Sequence, residues 1–159
     1  MNFKRFVITA ALLPMVVGLL FSTGVPVMAD IINNYYVSPA GNNDNTGTEA
    51  APFLTVTYAL SQAASGDVIN VLPGTFTETI TIANSIVLQS TCGASTTRIT
   101  GSVTINAGHN VTVDGFEITG SAGSGVSLPD GVAAATIVYI KSSNIHGHTG
   151  NGILAGAVG

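Results

Sequence analysis

The sequence predicts an all-β protein, a right-handed single-stranded parallel β-helix (solenoid) with a capping α-helix at its N-terminal end. Short runs of β-branched residues place apolar side chains two positions apart, which is the period of a strand. These runs recur about every 26 residues, a period typical of solenoids. One amphipathic helical segment precedes the runs, and the open end of a stacked sheet needs such a cover. Right-handedness is expected because parallel connections almost always have that hand.

Residues 1–29 are predicted to be a signal peptide. Lys4 and Arg5 precede an apolar run at 6–21, and the run is followed by a cleavage site of the signal-peptidase type that ends at Ala29. The run is shorter than the roughly 20 residues that a membrane span needs. We therefore expect a secreted or cell-surface protein with no membrane segment in the mature chain.

The composition of the remaining chain excludes two broad classes. Its hydrophobic content argues against a disordered tail. After removal of the signal, Arg98 and Lys141 are the two cations beside eight acidic residues, so the net charge is −6. No basic patch exists to hold a phosphate backbone, and nucleic acid is therefore not an expected partner. The single cysteine, Cys92, cannot form an internal disulfide.

Residues 30–66 are predicted to form an N-terminal cap that contains a strand, an Asn-rich loop and a helix. Side-chain oxygens crowd the loop at 39–49, where Asp44 and Glu49 are candidate calcium ligands. The spacing does not match an EF-hand, and Asn and Asp side chains that cap their own backbone explain the composition equally well. Calcium is the one cofactor that the sequence brings into consideration.

The capping helix is predicted within residues 52–65, where the apolar period changes to that of a helix. One stripe at helical spacing comprises Val56, Ala59, Leu60, Ala63 and Ala64. Gly66 follows this stripe and is predicted to end the helix as a left-handed cap. We expect this helix to cover the first coil.

Residues 67–159 are predicted to form the first three or so coils of the β-helix. Three runs, Ile69–Val71, Ile80–Ile82 and Ile86–Leu88, are assigned to one triangular coil, with Pro73-Gly74 and residues 83–85 as the breaks between them. The last coil is incomplete at Gly159, so we interpret the chain as an N-terminal fragment and expect further coils after it.

Constant offsets between apolar residues predict which side chains stack in columns. Offsets of 25 and 27 place Leu88, Val113 and Ile140 in one inward column and bring Lys141 beside Asp114. Two further columns are predicted in the same way; one contains Val71, Ile99, Val126 and Ile153, and the other contains Ile80, Ile105 and Val132.

The stretch from Tyr35 to Ile82, YYVSPAGNNDNTGTEAAPFLTVTYALSQAASGDVINVLPGTFTETITI, resembles the opening of secreted proteins of the pectin-lyase-like superfamily. It looks most like a domain-of-unknown-function-type cap found on bacterial and archaeal right-handed β-helix proteins. The resemblance implies the fold. The superfamily includes polysaccharide lyases, glycoside hydrolases, epimerases and non-catalytic adhesins, so the resemblance is compatible with each of these functions. Active sites of the superfamily usually lie on exposed faces of central coils. No catalytic motif of the superfamily maps onto a position of this chain.

Three charged residues are candidate catalytic groups. Lys141 could act as the base of a lyase while Asp114 helps to hold calcium, but a cross-rung salt bridge explains the pair as well. Asp114 and Glu117 could be the paired carboxylates of a glycoside hydrolase, which lie roughly 5 to 9 Å apart. Two acidic residues beside a bend are also common on an acidic surface.

Tyr139 is the candidate substrate-binding residue. Alternation along its strand points the ring outward, where it could stack on a sugar. His146 and His148 could form a metal pair, but exposed turn residues are the simpler interpretation, since no third histidine is near.

These observations favour an exported β-helix domain that binds or processes extracellular polysaccharide, with reactive coils beyond the C-terminal end. The alternative is a non-catalytic cell-surface, adhesion or structural β-helix module. If the protein is an enzyme, a polysaccharide lyase or glycoside hydrolase is expected. This chain alone is expected to have no measurable lyase or hydrolase activity.

Overall fold

The structure is a computed structural model of the 159-residue chain, and it describes residues 31–128 and 137–156. The predicted signal peptide at 1–29 lies outside the described residues, as does Val132 of the predicted Ile80 column.

The described residues form thirteen short strands and one helix. The helix, α1, spans Val56–Gln62. The strands are β1 Asn34–Val37, β2 Val68–Val71, β3 Gly74–Phe76, β4 Ile80–Ile82, β5 Val87–Ser90, β6 Thr97–Thr100, β7 Val103–Ile105, β8 Val111–Asp114, β9 Glu117–Thr119, β10 Val126–Leu128, β11 Val138–Lys141, β12 Asn144–His146 and β13 Ile153–Ala155.

The strands build three parallel sheets that form the walls of a prism. Sheet A has the order β1-β2-β5-β8-β11, sheet B the order β3-β6-β9-β12, and sheet C the order β4-β7-β10-β13. The chain passes through one strand of each sheet and then steps to the next rung. Coil 1 is therefore β2-β3-β4, coil 2 is β5-β6-β7, coil 3 is β8-β9-β10 and coil 4 is β11-β12-β13. This architecture confirms the predicted all-β parallel β-helix.

The predicted register is correct on sheet A. Leu88 pairs with Val113, and Val113 pairs with Ile140, as the offsets of 25 and 27 indicated. Lys141 is likewise the register neighbour of Asp114. Each rung of this sheet therefore carries its apolar residue in the same inward column.

The register predicted for the other two columns is wrong. Ile80 pairs with Val103, at an offset of 23, and not with Ile105. Val71, Ile99 and Val126 lie on sheets A, B and C respectively, so they form no common column, although Val126 does pair with Ile153. The physical reason is that the step between neighbouring rungs is not constant. It is 19 residues from β2 to β5 and 27 residues from β8 to β11.

Strand β3 was not predicted from the sequence. Gly74 was predicted as part of a break, but it begins this strand, which has a single buried apolar residue, Phe76. As a result, the run that ends at Leu88 belongs to coil 2 and not to coil 1. Glycine is needed at the start of β3 because its φ is +152° and a Cβ there would collide with the Pro39 ring.

The core is a continuous apolar file inside the prism. Its fully buried large side chains include Ile69, Leu88 and Val113 from sheet A, Ile99, Phe116 and Ile118 from the sheet B side, and Ile80, Ile82, Val103 and Ile105 from sheet C. At about 25 cal/mol per Å² of apolar surface, burial of this file is the main stabilising contribution to the fold.

Helix α1 covers the N-terminal end of coil 1, as predicted. Its buried face carries Val56 and Ala59, and its first turn is capped twice. The Thr55 hydroxyl accepts from the Tyr58 amide, and the Glu78 carboxylate accepts from the Val56 amide at 3.0 Å. Helix α1 is the one helix of the described ranges, and at seven residues it is far too short to span a membrane.

The predicted end of the helix is wrong. The helix ends at Gln62, and its C-cap is Ala63 with extended backbone angles and no left-handed cap. Gly66 does have a positive φ of 98°, but it lies in the turn that leads into β2. After the helix the chain enters a turn in which the Asp67 amide donates to the Ala64 carbonyl at 3.2 Å.

Asp67 is a buried carboxylate that ties three parts of the cap together, with only 1% of its surface exposed. It accepts hydrogen bonds from the Asn33 amide and the Ala64 amide, each at 2.8 Å, and from the Asn33 side chain at 3.2 Å. Asn33 precedes β1, Ala64 follows α1, and Asp67 itself precedes β2. The carboxylate therefore replaces water for backbone donors that have no other buried acceptor.

Candidate functional site

An ionic cluster on the outer face of sheet B links coils 2, 3 and 4. Arg98 on β6 donates from Nε to Glu117 on β9 at 2.6 Å, and His146 on β12 lies 2.9 Å from the other Glu117 oxygen through Nε2. Arg98 and Glu117 are register neighbours. The sequence indicated Glu117 as a candidate together with Asp114. The contacts of Glu117 with Arg98 and His146 were not predicted.

The cluster keeps Glu117 ionised. The hydrogen bond from Arg98 lowers the pKa of the Glu117 carboxyl below its usual value of 4.5, and the contact with His146 acts in the same direction. The general acid of a glycoside hydrolase needs the opposite shift, since it has to hold a proton near neutral pH. Glu117 is therefore suited to accept hydrogen bonds and to hold cations, and it is not suited to donate a proton.

The lowered pKa predicts how Glu117 affects stability as the pH changes. Its contribution is fully present above about pH 4.5 and is lost as the pH falls through the lower folded-state pKa. Glu117→Gln is therefore expected to be less stable than wild type at neutral pH, with the difference shrinking in acid. Urea unfolding at a series of pH values measures this. Glu49→Gln, a change at an exposed loop residue, is the matched control, and an equal pH dependence for both variants would contradict the assignment.

Asp114 and Lys141 are neighbours on adjacent rungs, but they do not form the predicted salt bridge. Across residues 31–128 and 137–156, the ion pairs are those of Glu117 with Arg98 and with His146. The Lys141 ammonium lies instead 5.5 Å from the centre of the Tyr139 ring. An exposed pair gains little from Coulomb attraction, so a cation–π contact on the same strand competes well with it. The catalytic roles considered for Asp114 and Lys141 stay predictions.

Tyr139 faces outward as predicted, with 55% of its surface exposed, and it forms one wall of a cleft. The cleft has a volume of about 270 Å³ and lies where the chain passes from sheet C to sheet A. Among the described residues, its lining contains no charged side chain and comprises Gly66, Ser85, Ile86, Val87, Asn110, Val111, Thr112 and Tyr139. The floor is thus aliphatic, and the rim carries hydroxyl and amide groups.

Several polar groups of this cleft are available to a ligand. The Asn110 side-chain oxygen accepts from the Ile137 amide at 3.3 Å, and the Ser85 hydroxyl accepts from the Asn110 amide at 3.0 Å. These contacts orient Asn110. Within the described part of the chain, the Asn110 side-chain nitrogen, the Thr112 hydroxyl and the Tyr139 phenol make no hydrogen bond. The cleft therefore combines a fixed frame with three free polar groups.

The Asn-rich loop uses its amide oxygens for its own backbone. The Asn43 oxygen accepts from the Leu54 and Thr55 amides, and the Asn42 oxygen accepts from the Asp44 amide. No group of three or more His, Cys, Asp or Glu residues gathers as a metal site within the described ranges. Backbone capping accounts for the loop's composition. Calcium at Asp44 and Glu49 stays a prediction that no contact supports.

The two histidines of the HGH sequence match the expectation of exposed turn residues only in part, since His146 is exposed but ends strand β12. His146 contacts Glu117, as described above. His148 is partly buried, and both of its ring nitrogens have partners, the Ser121 hydroxyl and the Ile118 carbonyl. The two rings contact different partners on coil 3 and do not converge on one point, so they do not form a metal pair.

Comparisons with known proteins agree with this architecture. The family described as "Protein of unknown function (DUF1565)" matches residues 39–153. The "Uncharacterized protein YwoF" of Bacillus subtilis (strain 168) is 26% identical in a 127-residue alignment that covers 70% of this chain and 26% of that protein. This chain thus spans about a quarter of the length of that curated relative. The structure of a protein named "Rhamnogalacturonan lyase" superposes with a TM-score of 0.51 and 17% identity, over 63% of this chain and 33% of the other.

Proposed function

This chain belongs to the DUF1565 family, a pectin-lyase-like β-helix family, and we propose that it is an exported domain that binds extracellular polysaccharide through the Tyr139 cleft. The observation that carries the proposal is the chemistry of that cleft. Its described residues offer an exposed aromatic ring, an aliphatic floor and unpaired hydroxyl and amide groups, and none of them is charged. Sugar rings present apolar C–H faces and a rim of hydroxyls, which these groups complement.

The size of the cleft suits one sugar unit at a time. Pockets for drug-sized ligands occupy roughly 300 to 1,000 Å³, and this cleft of about 270 Å³ lies just below that range. A single pyranose ring is the ligand of matching size.

The orientation of the cleft suits a polymer. Val87, Thr112 and Tyr139 are register neighbours on three successive rungs of sheet A. Rungs of a parallel sheet are about 4.8 Å apart, so this file runs along the long axis of the prism. A sugar chain that lies along the axis would meet one rung after another, with the ring of Tyr139 at one end of the file.

Two further lines of support are weaker. The structural neighbour is named for a lyase of a polysaccharide, and although 17% identity establishes only the shared fold, it makes a carbohydrate ligand a natural one to test. The predicted signal peptide at 1–29 supports a secreted or cell-surface location, where such polymers occur.

A non-catalytic surface module is the second candidate function. The outward positions of sheet C carry a file of hydroxyl residues, Thr81, Thr104 and Ser127, and the last two hydrogen-bond at 3.2 Å. Such a row of hydroxyl groups can form hydrogen bonds with a partner but supplies no acid, base or activated nucleophile. This is expected for a spacer or an adhesion surface.

Replacement of Tyr139 with Ala is expected to weaken polysaccharide binding about tenfold, because ring stacking contributes about 1.4 kcal/mol. Affinity electrophoresis against a panel of neutral and acidic polysaccharides, followed by calorimetry on any that bind, measures the effect. Tyr139→Phe separates the ring from the phenol, and Tyr36→Ala, on β1 and away from the cleft, is the matched control. Equal affinity of wild type and Tyr139→Ala would contradict the proposed site, and it would leave the surface module as the better explanation.

A further inference from the structure

A serine and a histidine meet at the corner between sheets B and C. Ser121 lies in the loop after β9, and His148 lies one coil further on, in the loop after β12. The Ser121 hydroxyl oxygen is 2.7 Å from Nδ1 of His148. Both residues are partly exposed, so a small molecule can reach them from solvent.

The surrounding hydrogen bonds fix the tautomer of His148. The Ser121 amide donates to Nδ1 at 3.2 Å, and since an amide cannot accept, Nδ1 has to carry the lone pair. Nε2 lies 3.0 Å from the Ile118 carbonyl oxygen, and since a carbonyl cannot donate, Nε2 has to carry the proton. The unprotonated nitrogen therefore faces the serine hydroxyl. This is the arrangement of a nucleophile, a base and a group that orients the base.

The loop makes room for this arrangement and for a substrate. A Cβ at position 125 would lie 2.6 Å from Nε2 of His148, so only Gly125 lets the imidazole take this place. The residues that follow Ser121 in the loop, Ala122 and Gly123, are small. Within the described residues their amide groups make no hydrogen bond. An amide directly after a nucleophile is well placed to stabilise a developing oxyanion.

We propose that Ser121 and His148 form a nucleophile and base pair that hydrolyses esters of small carboxylic acids. Ser121 Oγ attacks the ester carbonyl carbon while its proton passes to Nδ1 of His148, and the carbon–oxygen bond to the alcohol then breaks as the alcohol takes that proton. Water attacks the acyl-enzyme in the second half, giving up a proton to His148, and the carboxylic acid leaves as Ser121 regains its proton. Water is the single co-reactant.

This inference does not rest on the proposed polysaccharide binding, because the Tyr139 cleft lies at another corner of the prism. It departs from the expectation that the chain alone has no hydrolase activity, which followed from placing the reactive coils beyond the C-terminal end. The competing explanation is structural. The Ser121 hydroxyl also lies 3.1 Å from the Ser124 carbonyl and 3.3 Å from the Gly123 carbonyl, and it could simply hold the turn.

The test is covalent labelling of the mature chain with a fluorophosphonate probe, with mass spectrometry to locate the label, together with release of p-nitrophenol from p-nitrophenyl acetate. We expect one label per chain, on Ser121, and an initial burst of p-nitrophenol that matches the protein concentration. Labelling of wild type identifies the residue without any variant, so a variant that fails to fold does not affect this result. Absence of labelling of the folded protein, or a label on another residue, would overturn the proposal.

Variants then separate catalysis from turn capping. His148→Ala is expected to slow labelling at least about 100-fold, the usual effect of losing a general base. Gly125→Ala should also slow it, since the added methyl displaces the ring. Ser124→Ala, in the same loop, should react like wild type, because Ser121 contacts only the backbone carbonyl of Ser124. Circular dichroism confirms that each variant is folded. Unchanged labelling of folded His148→Ala would show that His148 holds the turn and does not act as a base.

Discussion

Replacement of Leu88 with Ala is expected to lower the free energy of unfolding by about 3 kcal/mol, within the range measured for large-to-small changes in protein cores. Leu88 is completely buried, and its rung lies between those of Ile69 and Val113 in the inward column of sheet A. Loss of three carbon atoms opens a cavity that the neighbouring rungs cannot close, because ladder hydrogen bonds fix their spacing.

Urea unfolding of the mature chain measures this effect. Thr81→Ala removes a side chain of moderate size from an outward position on sheet C, and it is expected to change the free energy by no more than about 0.5 kcal/mol. Similar values for the two variants would mean that Leu88 is not in a closed core, and the coil assignment of sheet A would then be wrong.

Replacement of Asp67 with Ala is expected to cost about 3 kcal/mol or more. The change removes the acceptor of the Asn33 and Ala64 amides, and each hydrogen bond to a charged group contributes about 1.5–3 kcal/mol. Asp67→Asn keeps one side-chain oxygen but turns an NH₂ group toward the other amide, so we expect an intermediate loss. The damage should concentrate in the cap, where β1, α1 and β2 meet.

Hydrogen exchange resolved by residue, together with urea unfolding, measures both the size and the place of this effect. We expect the Asn33 and Ala64 amides to exchange much faster in Asp67→Ala, while amides of sheet A in coils 3 and 4 change less. Asp114→Ala removes a half-exposed carboxylate with no hydrogen bond among the described residues and is the matched control. If both variants lose the same stability, the buried carboxylate is not what holds the cap.

The alternation of apolar residues was enough to predict the fold class, because inward and outward positions on short strands follow directly from the strand period. The columns of sheet A were also predictable, since Leu88, Val113 and Ile140 keep the offsets that the sequence shows. The other two columns were predicted wrongly, apart from the pair Val126 and Ile153, because the corner loops differ in length and an offset measured on one wall does not apply to the next. Strand β3 was missed because it has only one apolar side chain, Phe76.

The candidate sites were predictable only in part. The outward position of Tyr139 follows from alternation, but its cleft depends on where the next corner lies in space. Arg98 and Glu117 are 19 residues apart, a step that no repeated offset indicated, so their contact on sheet B was missed. Ser121 and His148, in contrast, are 27 residues apart, which is also the offset between Val113 and Ile140 on sheet A. Applying that offset to the corner loops would have brought the two side chains together.

The corner loops of the prism differ in length, and this affects how a protein of this fold can evolve. The chain takes six residues, 91–96, to pass from sheet A to sheet B in coil 2, but only two, Gly115 and Phe116, in coil 3, and the flanking strands stay paired in both cases. Loop closure becomes only slowly more costly as loops lengthen. Insertions at the edges of the prism can therefore accumulate and acquire new recognition properties while the ladder beneath them is inherited unchanged.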